Sequence, residues 1–232
     1  MQRELKVFIG YDPKESIAWD VCSFSILRHT SNGVTTHPIK QKELRELGIY
    51  TREKDQGAST EFSITRFLTP FLSANDEWSI FVDCDFIFNS DILAVLDGLN
   101  PSKALYVVKH DYVPSKTIKM DGAGQSIYPR KNWSSFMVFN NNHPDVKRLT
   151  PSLVNSSSPQ YLHRFEWVKN QEEIGELPLS WNFLVGEYPK PTVKPHAIHF
   201  TNGGPWFDDC QNVDFSAEWL EECEMLRKAK SL

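Results

Sequence analysis

The chain has 232 residues, 40% of them hydrophobic and 24% charged, with a formal net charge of −5. That is the composition of a globular protein able to bury one sizeable core. It offers no basic block to neutralise a nucleic-acid backbone and no apolar run near the ~20 residues of a membrane span. The segment from Met1 to Lys6 is charged, unlike a signal peptide, and the four cysteines, Cys22, Cys84, Cys210 and Cys223, show no CxxC spacing. Both features point to reduced thiols in a cytoplasmic protein.

Leu5 to Gly10 reads as a first strand, closed by the turn Tyr11-Asp12-Pro13. Glu15 to His29 reads as a helix, with Ile17, Val21 and Phe24 along one line and Ala18, Cys22 and Ile26 beside it. Strand, tight turn and helix open an α/β sheet, whose ligands bind beyond the carboxyl ends of the strands. Val34 to Ile39 is a second strand, and Lys42 to Leu47 a short helix stopped by Gly48. Gln56 to Thr60 is a polar loop, in which Ser59 or Thr60 would cap a helix carrying Phe62, Arg66, Phe67 and Phe71. Ser79 to Asn89 is an apolar strand holding Asp83 and Asp85, after which Ser90-Asp91 caps Ile92 to Leu96. Ala104 to Lys109 and Phe136 to Asn140 are further strands, separated by a loop-like stretch from Asp111 to Arg130. Short helices are expected between Pro144 and Val168, a last strand at Ala197 to Phe200, and an amphipathic helix from Asp214 to Lys230. With no repeat or linker, residues 1–232 read as a single domain.

The chemistry concentrates at Asp83 and Asp85. Ile80, Phe81 and Val82 precede them and Phe86, Ile87 and Phe88 follow, so these carboxylates stand in a buried strand. Burying one unpaired carboxylate costs several kcal/mol, and a close pair costs more, so a cation is expected. Positions i and i+2 of an extended strand face the same way, which lets both reach one ion. Oxygen ligands suit Mg²⁺ or Mn²⁺, which in turn bind diphosphates.

Four segments together resemble the metal-dependent glycosyltransferases of family 8, the glycogenin and lipopolysaccharide galactosyltransferase type, which have the GT-A fold. Val7-Phe-Ile-Gly-Tyr-Asp12 resembles the first strand and uridine-binding turn. Thr60-Glu-Phe-Ser-Ile-Thr-Arg66-Phe resembles the helix whose arginine faces the donor phosphate. Phe81-Val-Asp83-Cys-Asp85 is the Asp-x-Asp segment. His199-Phe-Thr-Asn-Gly-Gly-Pro-Trp206 resembles the C-terminal segment whose histidine completes the metal site. The resemblance implies a mixed central sheet flanked by helices, a hexose moved from a nucleotide diphosphate sugar such as UDP-hexose to an acceptor hydroxyl of a carbohydrate, lipid or protein, and retention at the anomeric carbon. It implies a metal held by Asp83, Asp85 and His199, and the imidazole shifts the preference toward Mn²⁺. The nucleotide-binding set would comprise Tyr11, Asp12, Arg66, Cys84, Asn182, Gly203, Gly204 and Trp206, with Arg66 also serving the chemistry.

Two departures stand out. Gly204 occupies the place of a lysine that precedes Pro-Trp in the family, so the Gly203 and Gly204 amides, or Lys194, Lys109 or Arg164, would meet the diphosphate. No Asp-Gln-Asp triplet occurs; Gln160-Tyr-Leu-His-Arg-Phe-Glu-Trp167 stands instead, and makes His163, Arg164 and Glu166 candidate catalytic groups beside the sugar. Alternative readings are a metal-dependent nucleotidyltransferase and a non-catalytic binder of nucleotide sugars or glycans. The first would carry a glycine-rich, basic loop after its first strand, which Gly10-Tyr11-Asp12-Pro13 is not.

Overall fold

The computed structural model describes residues 4–53, 60–73, 76–111 and 129–231. All of the polar loop from Gln56 to Thr60 except Thr60, its candidate cap Ser59 included, and most of the stretch from Asp111 to Arg130 lie outside these residues. β1 (Leu5–Gly10) leads through a single 3-10 turn into α1 (Ser16–His29), then β2 (Val34–Ile39) and α2 (Gln41–Glu46). α3 (Thr69–Leu72), β3 (Trp78–Val82), β4 (Phe86–Phe88), β5 (Leu105–Val107) and β6 (Phe136–Asn140) follow. The chain continues with α4 (Pro151–Ser156), α5 (Pro159–His163), β7 (Ile174–Glu176), β8 (Phe183–Leu184), β9 (Ala197–His199) and α6 (Ser216–Lys230).

Six strands form a mixed sheet in the order β2-β1-β3-β6-β5-β7, and β4-β9-β8 form a smaller second sheet. β1 is parallel to both β2 and β3, whereas β6 is antiparallel to β3 and β5. Strand order reverses at β1, and a crevice at such a switch point is the usual ligand site of an open α/β sheet. Because β6 runs antiparallel, its amino end reaches the same edge as the carboxyl ends of β1 and β3. α1 supports both sheets, burying Ala18, Val21, Cys22 and Ile26, and α6 packs on it through Trp219, Cys223 and Leu226.

The apolar run around Asp83 and Asp85 is not one strand. β3 ends at Val82 in the large sheet and β4 begins at Phe86 in the small one, so Asp83-Cys84-Asp85 is the turn between them. Aspartate is a poor strand former, and the chain leaves one ladder for the other here: the Asp83 amide donates to the Ser135 carbonyl and the Phe200 amide to the Asp85 carbonyl, both 2.9 Å. The two carboxylates are therefore brought together by a turn, not by strand alternation. The helix expected around Arg66 is likewise broken. Residues 61–64 form turns, Thr65–Leu68 a 3-10 helix, and α3 restarts with Pro70 in its first turn. β-branched and aromatic residues favour a regular α-helix poorly, and proline cannot donate to a preceding turn. Thr60 caps neither piece. The strands at 174–176 and 183–184 are too short to show alternation and were not foreseen.

Phe62 lies directly on the backbone of Gly10 at the end of β1, where a methyl group would stand 2.4 Å from the ring. The aromatic floor of the crevice thus requires glycine at this position. Gly10→Ala is expected to destabilise the fold by about 1–3 kcal/mol through overpacking, measured as a lowered denaturant midpoint with an unchanged m-value. An unchanged midpoint would show that Phe62 is free to move.

Candidate functional site

Asp83, Asp85 and His199 each place one ligand atom within 4.8 Å of the other two. Strand pairing brings this about: β4 and β9 set Phe86 opposite His199, next to Asp85. The Phe86 ring lies under the imidazole with centroids 4.2 Å apart. His199 Nε2 is 3.2 Å from Asp85 Oδ2, and its Nδ1 is 2.9 Å from Asn182 Oδ1. The rest of the chain of hydrogen bonds fixes which nitrogen carries the proton. Ser135 Oγ donates to the Asn132 carbonyl at 2.7 Å, and a carbonyl can only accept. Ser135 Oγ therefore accepts from Asn182 Nδ2, 2.9 Å away, which turns Asn182 Oδ1 toward His199. His199 Nδ1 donates to it, and the Nε2 lone pair faces Asp85. Two electron-rich atoms at that separation need a positive centre between them, either a proton or a cation. The donor set of two carboxylates and one imidazole fits a divalent ion of the Mn²⁺ or Mg²⁺ type.

Arg66 is buried, only 6% exposed. Its Nη1 is 2.9 Å from Asp83 Oδ1 and donates to the Ser134 carbonyl at 2.9 Å. The guanidinium lies over the neighbouring rings of Phe62 and Phe81, 5.3 and 5.0 Å from their centroids. His163 Nδ1 meets Ser134 Oγ at 2.9 Å, and the imidazole packs edge-on against Phe67. Burial, and then the Arg66 charge, pull the His163 pKa down to about 3, with the Ser63 backbone acting in the opposite direction. At neutral pH His163 is a neutral hydrogen-bonding ring. Arg164 and Glu166, its neighbours in sequence, do not line the cavity. α5 ends in a 6→1 bond from the Glu166 amide to the Tyr161 carbonyl, with Phe165 left-handed (φ 55°) and fully buried. That turn leaves Glu166 exposed.

An open cavity of about 180 Å³ brings Asp12, Glu15, Arg66, Asp83, Asp85 and His199 onto one surface, together with Cys84, His163 and Gly203. Tyr11 stands beside it, edge-on to Trp19 and under Lys40. Asp12 is buried, and both its oxygens accept from backbone amides, Lys14 at 3.0 Å and Glu61 at 3.1 Å. It ties the turn after β1 to the segment that carries Arg66. Asn182 is fully buried behind His199. The Gly203 amide closes its own turn onto the Phe200 carbonyl at 2.6 Å. At Gly204 a methyl group would stand 2.1 Å from the Trp206 ring, so this backbone leaves no room for a lysine there.

The sequence reading did not single out Lys14, Glu15 or Asn132, all of which line the cavity. An acidic and a basic residue at a helix start are ordinary, so neither carried a signal. Glu15 accepts from Trp206 Nε1 at 3.2 Å. Burial first, then the charges of Asp85 and Asp12, raise its pKa to about 8, while the Trp206 hydrogen bond opposes this.

No protein-family profile matches the chain. Over 231 residues it is 46% identical to Protein CDI of Arabidopsis thaliana, covering 98% of this chain and 89% of that protein. Among solved structures it resembles the bifunctional glycosyltransferase WbbM in its apo form (TM-score 0.61, 17% identity over 96% of this chain), and it spans only 50% of that longer chain. It also resembles the galactosyltransferase LgtC, solved with donor and acceptor sugar analogues, with a TM-score of 0.56, 10% identity and 95% of both chains covered. At these identities the likeness is one of fold, and the fold is that of the GT-A glycosyltransferases.

Replacing Asn182 by Leu breaks the chain that orients His199. Loss of such an outer hydrogen bond typically weakens metal binding by about 10- to 100-fold, and Mn²⁺ titration calorimetry should show that drop with the fold retained by circular dichroism. Unchanged Mn²⁺ affinity would mean that His199 needs no such partner.

In the metal-free protein Glu15 has a folded-state pKa above its usual value of 4.5. Its stabilising contribution is complete below that usual value. The folded state holds the proton longer than the unfolded one, so stability declines as pH rises through about 8. Chemical denaturation across this range should show the decline in the wild type and a flatter profile in Glu15→Gln. Parallel profiles would show that neither burial nor the neighbouring carboxylates raise the Glu15 pKa.

Proposed function

The chain belongs to the same family as Protein CDI of Arabidopsis thaliana, and we propose that it is a metal-dependent glycosyltransferase using a nucleotide diphosphate sugar, UDP-hexose in the first instance. One observation carries the reading: Asp83, Asp85 and His199 converge at the switch-point end of the sheet, beside a buried arginine. A divalent ion held there would offset the charge that develops on a departing diphosphate. Arg66 adds a second positive charge at the same place, fixed by the Ser134 carbonyl and two phenylalanine rings.

Lys14 is the exposed cation beside the cavity among the described residues, and we assign it the diphosphate contact that the family gives to the lysine before Pro-Trp. Ser134 Oγ, anchored by neutral His163, faces the cavity as a hydroxyl-binding group for the transferred sugar. The base would lie at the turn after β1, near Tyr11 and Asp12, where a pyrimidine fits better than a purine. Family 8 membership, retention at the anomeric carbon and action of residues 1–232 as one domain belong to the same proposal. A cytoplasmic location agrees with four buried free cysteines. Among the described residues no helix is long and apolar enough to cross a membrane.

The fold also suits a nucleotidyltransferase, but the turn after β1 presents Asp12 where such an enzyme needs a basic, glycine-rich loop. A panel of nucleotide sugars with Mn²⁺, read as release of the nucleoside diphosphate, tests the proposal. UDP-hexose is expected to turn over, UDP to compete better than GDP, and a chelator or Asp85→Ala to abolish both binding and release while the fold survives. UDP binding that ignores chelator and Asp85→Ala would overturn the metal-dependent reading. Binding without turnover of any donor would favour a non-catalytic nucleotide-sugar module.

A further inference from the structure

We propose that Glu15 is the residue that recognises the ribose diol of the bound nucleotide, an assignment that rests on the donor reading above. Glu15 closes the single 3-10 turn Pro13–Glu15, its amide donating to the Asp12 carbonyl at 3.0 Å. Its side chain lines the same cavity as Asp12, Asp83 and Asp85, near enough to all three for their charges to act on it. A nucleotide with its base at the β1 turn and its diphosphate at Asp83, Asp85 and His199 must span that interval with its ribose.

The chemistry of a carboxylate selects among the ligand groups that could reach it. A carboxyl group accepts hydrogen bonds from hydroxyl donors whether or not it carries a proton. Glu15 is not part of the Asp83, Asp85 and His199 cluster that could hold a metal. A vicinal diol offers two adjacent donors to one carboxylate, the pairing by which acidic residues read ribose in other nucleotide sites. The mount is rigid. Trp206 Nε1 donates to Glu15 Oε2 at 3.2 Å, and the indole is wedged against Phe200, Phe207 and Trp219 with ring centroids 5.2–5.9 Å away. The tryptophan of the Gly-Gly-Pro-Trp segment thus aims Glu15 without itself lining the cavity.

The test compares UDP with 2′-deoxy-UDP in the presence of Mn²⁺, by calorimetry, for the wild type, Glu15→Leu and Trp206→Phe. Leaving a buried polar group without its hydrogen-bond partner costs about tenfold in affinity. The wild type should therefore prefer UDP by about that factor, Glu15→Leu should bind both nucleotides equally, and Trp206→Phe, which removes the N–H together with part of the packed ring, should fall between them. Full ribose discrimination in Glu15→Leu, or an equal loss of affinity for both nucleotides, would overturn the assignment and leave the donor reading intact. Failure of the wild type to bind either nucleotide would overturn both.

Discussion

Asp12, Glu15, Asp83 and Asp85 share one cavity, and that concentration of carboxylate oxygen constrains everything built around it. Asp12 accepts hydrogen bonds from two backbone amides and Asp83 is paired with the Arg66 guanidinium. Asp85 faces an imidazole lone pair, and Glu15 retains a proton to about pH 8. Each of these is a different local answer to the same repulsion. The hydrogen bonds behind His199 aim its Nε2 at the Asp85 carboxylate, a contact that takes a proton or a cation between the two atoms. A divalent cation resolves that contact and lowers the cost of ionising Glu15 at once, which makes the proposed metal centre and the proposed ribose contact interdependent.

The architecture delivers these groups through chain ends rather than along any one element. The carboxyl ends of β1 and β3, the amino end of β6 and the end of β9 meet where the large sheet hands over to the small one. Asp83-Cys84-Asp85 is itself the handover. A turn held between two sheets is anchored on both sides, by Ser135 in one direction and Phe200 in the other. This placement fixes two carboxylates in space more firmly than a surface loop would.

Aromatic residues supply the mounts. Phe62 and Phe81 lie under Arg66, Phe86 underlies His199, Phe67 meets His163 and Trp206 holds Glu15. Low-dielectric surroundings strengthen the electrostatics of the groups they hold and restrict their rotamers. The same packing decides what is absent. Trp206 fills the space in which a side chain at position 204 would have to start.

Much of this could be read from the amino-acid order. The strands at 34–39 and 136–140, the opening strand, turn and helix, and the C-terminal helix all show in local patterning, the central strands as short apolar runs buried on both faces and the C-terminal helix by its apolar side. The two aspartates declared themselves by standing in an apolar run, and His199 by its place before a glycine turn. Which residues share a cavity was another matter. The Asp-x-Asp segment read as an extended strand and folded as a turn, since only the pairing of β4 with β9 pulls the chain out of the first sheet. His163, Arg164 and Glu166 read as one polar group, yet a left-handed Phe165, buried in the core, turns His163 inward and Glu166 out. Glu15 looked like an ordinary helix-start acid, and nothing within ten residues reveals that an indole from position 206 fixes it. Local sequence sets which segments are apolar and which carry charge; long-range packing alone decides which charges must coexist, and that coexistence is what makes the site.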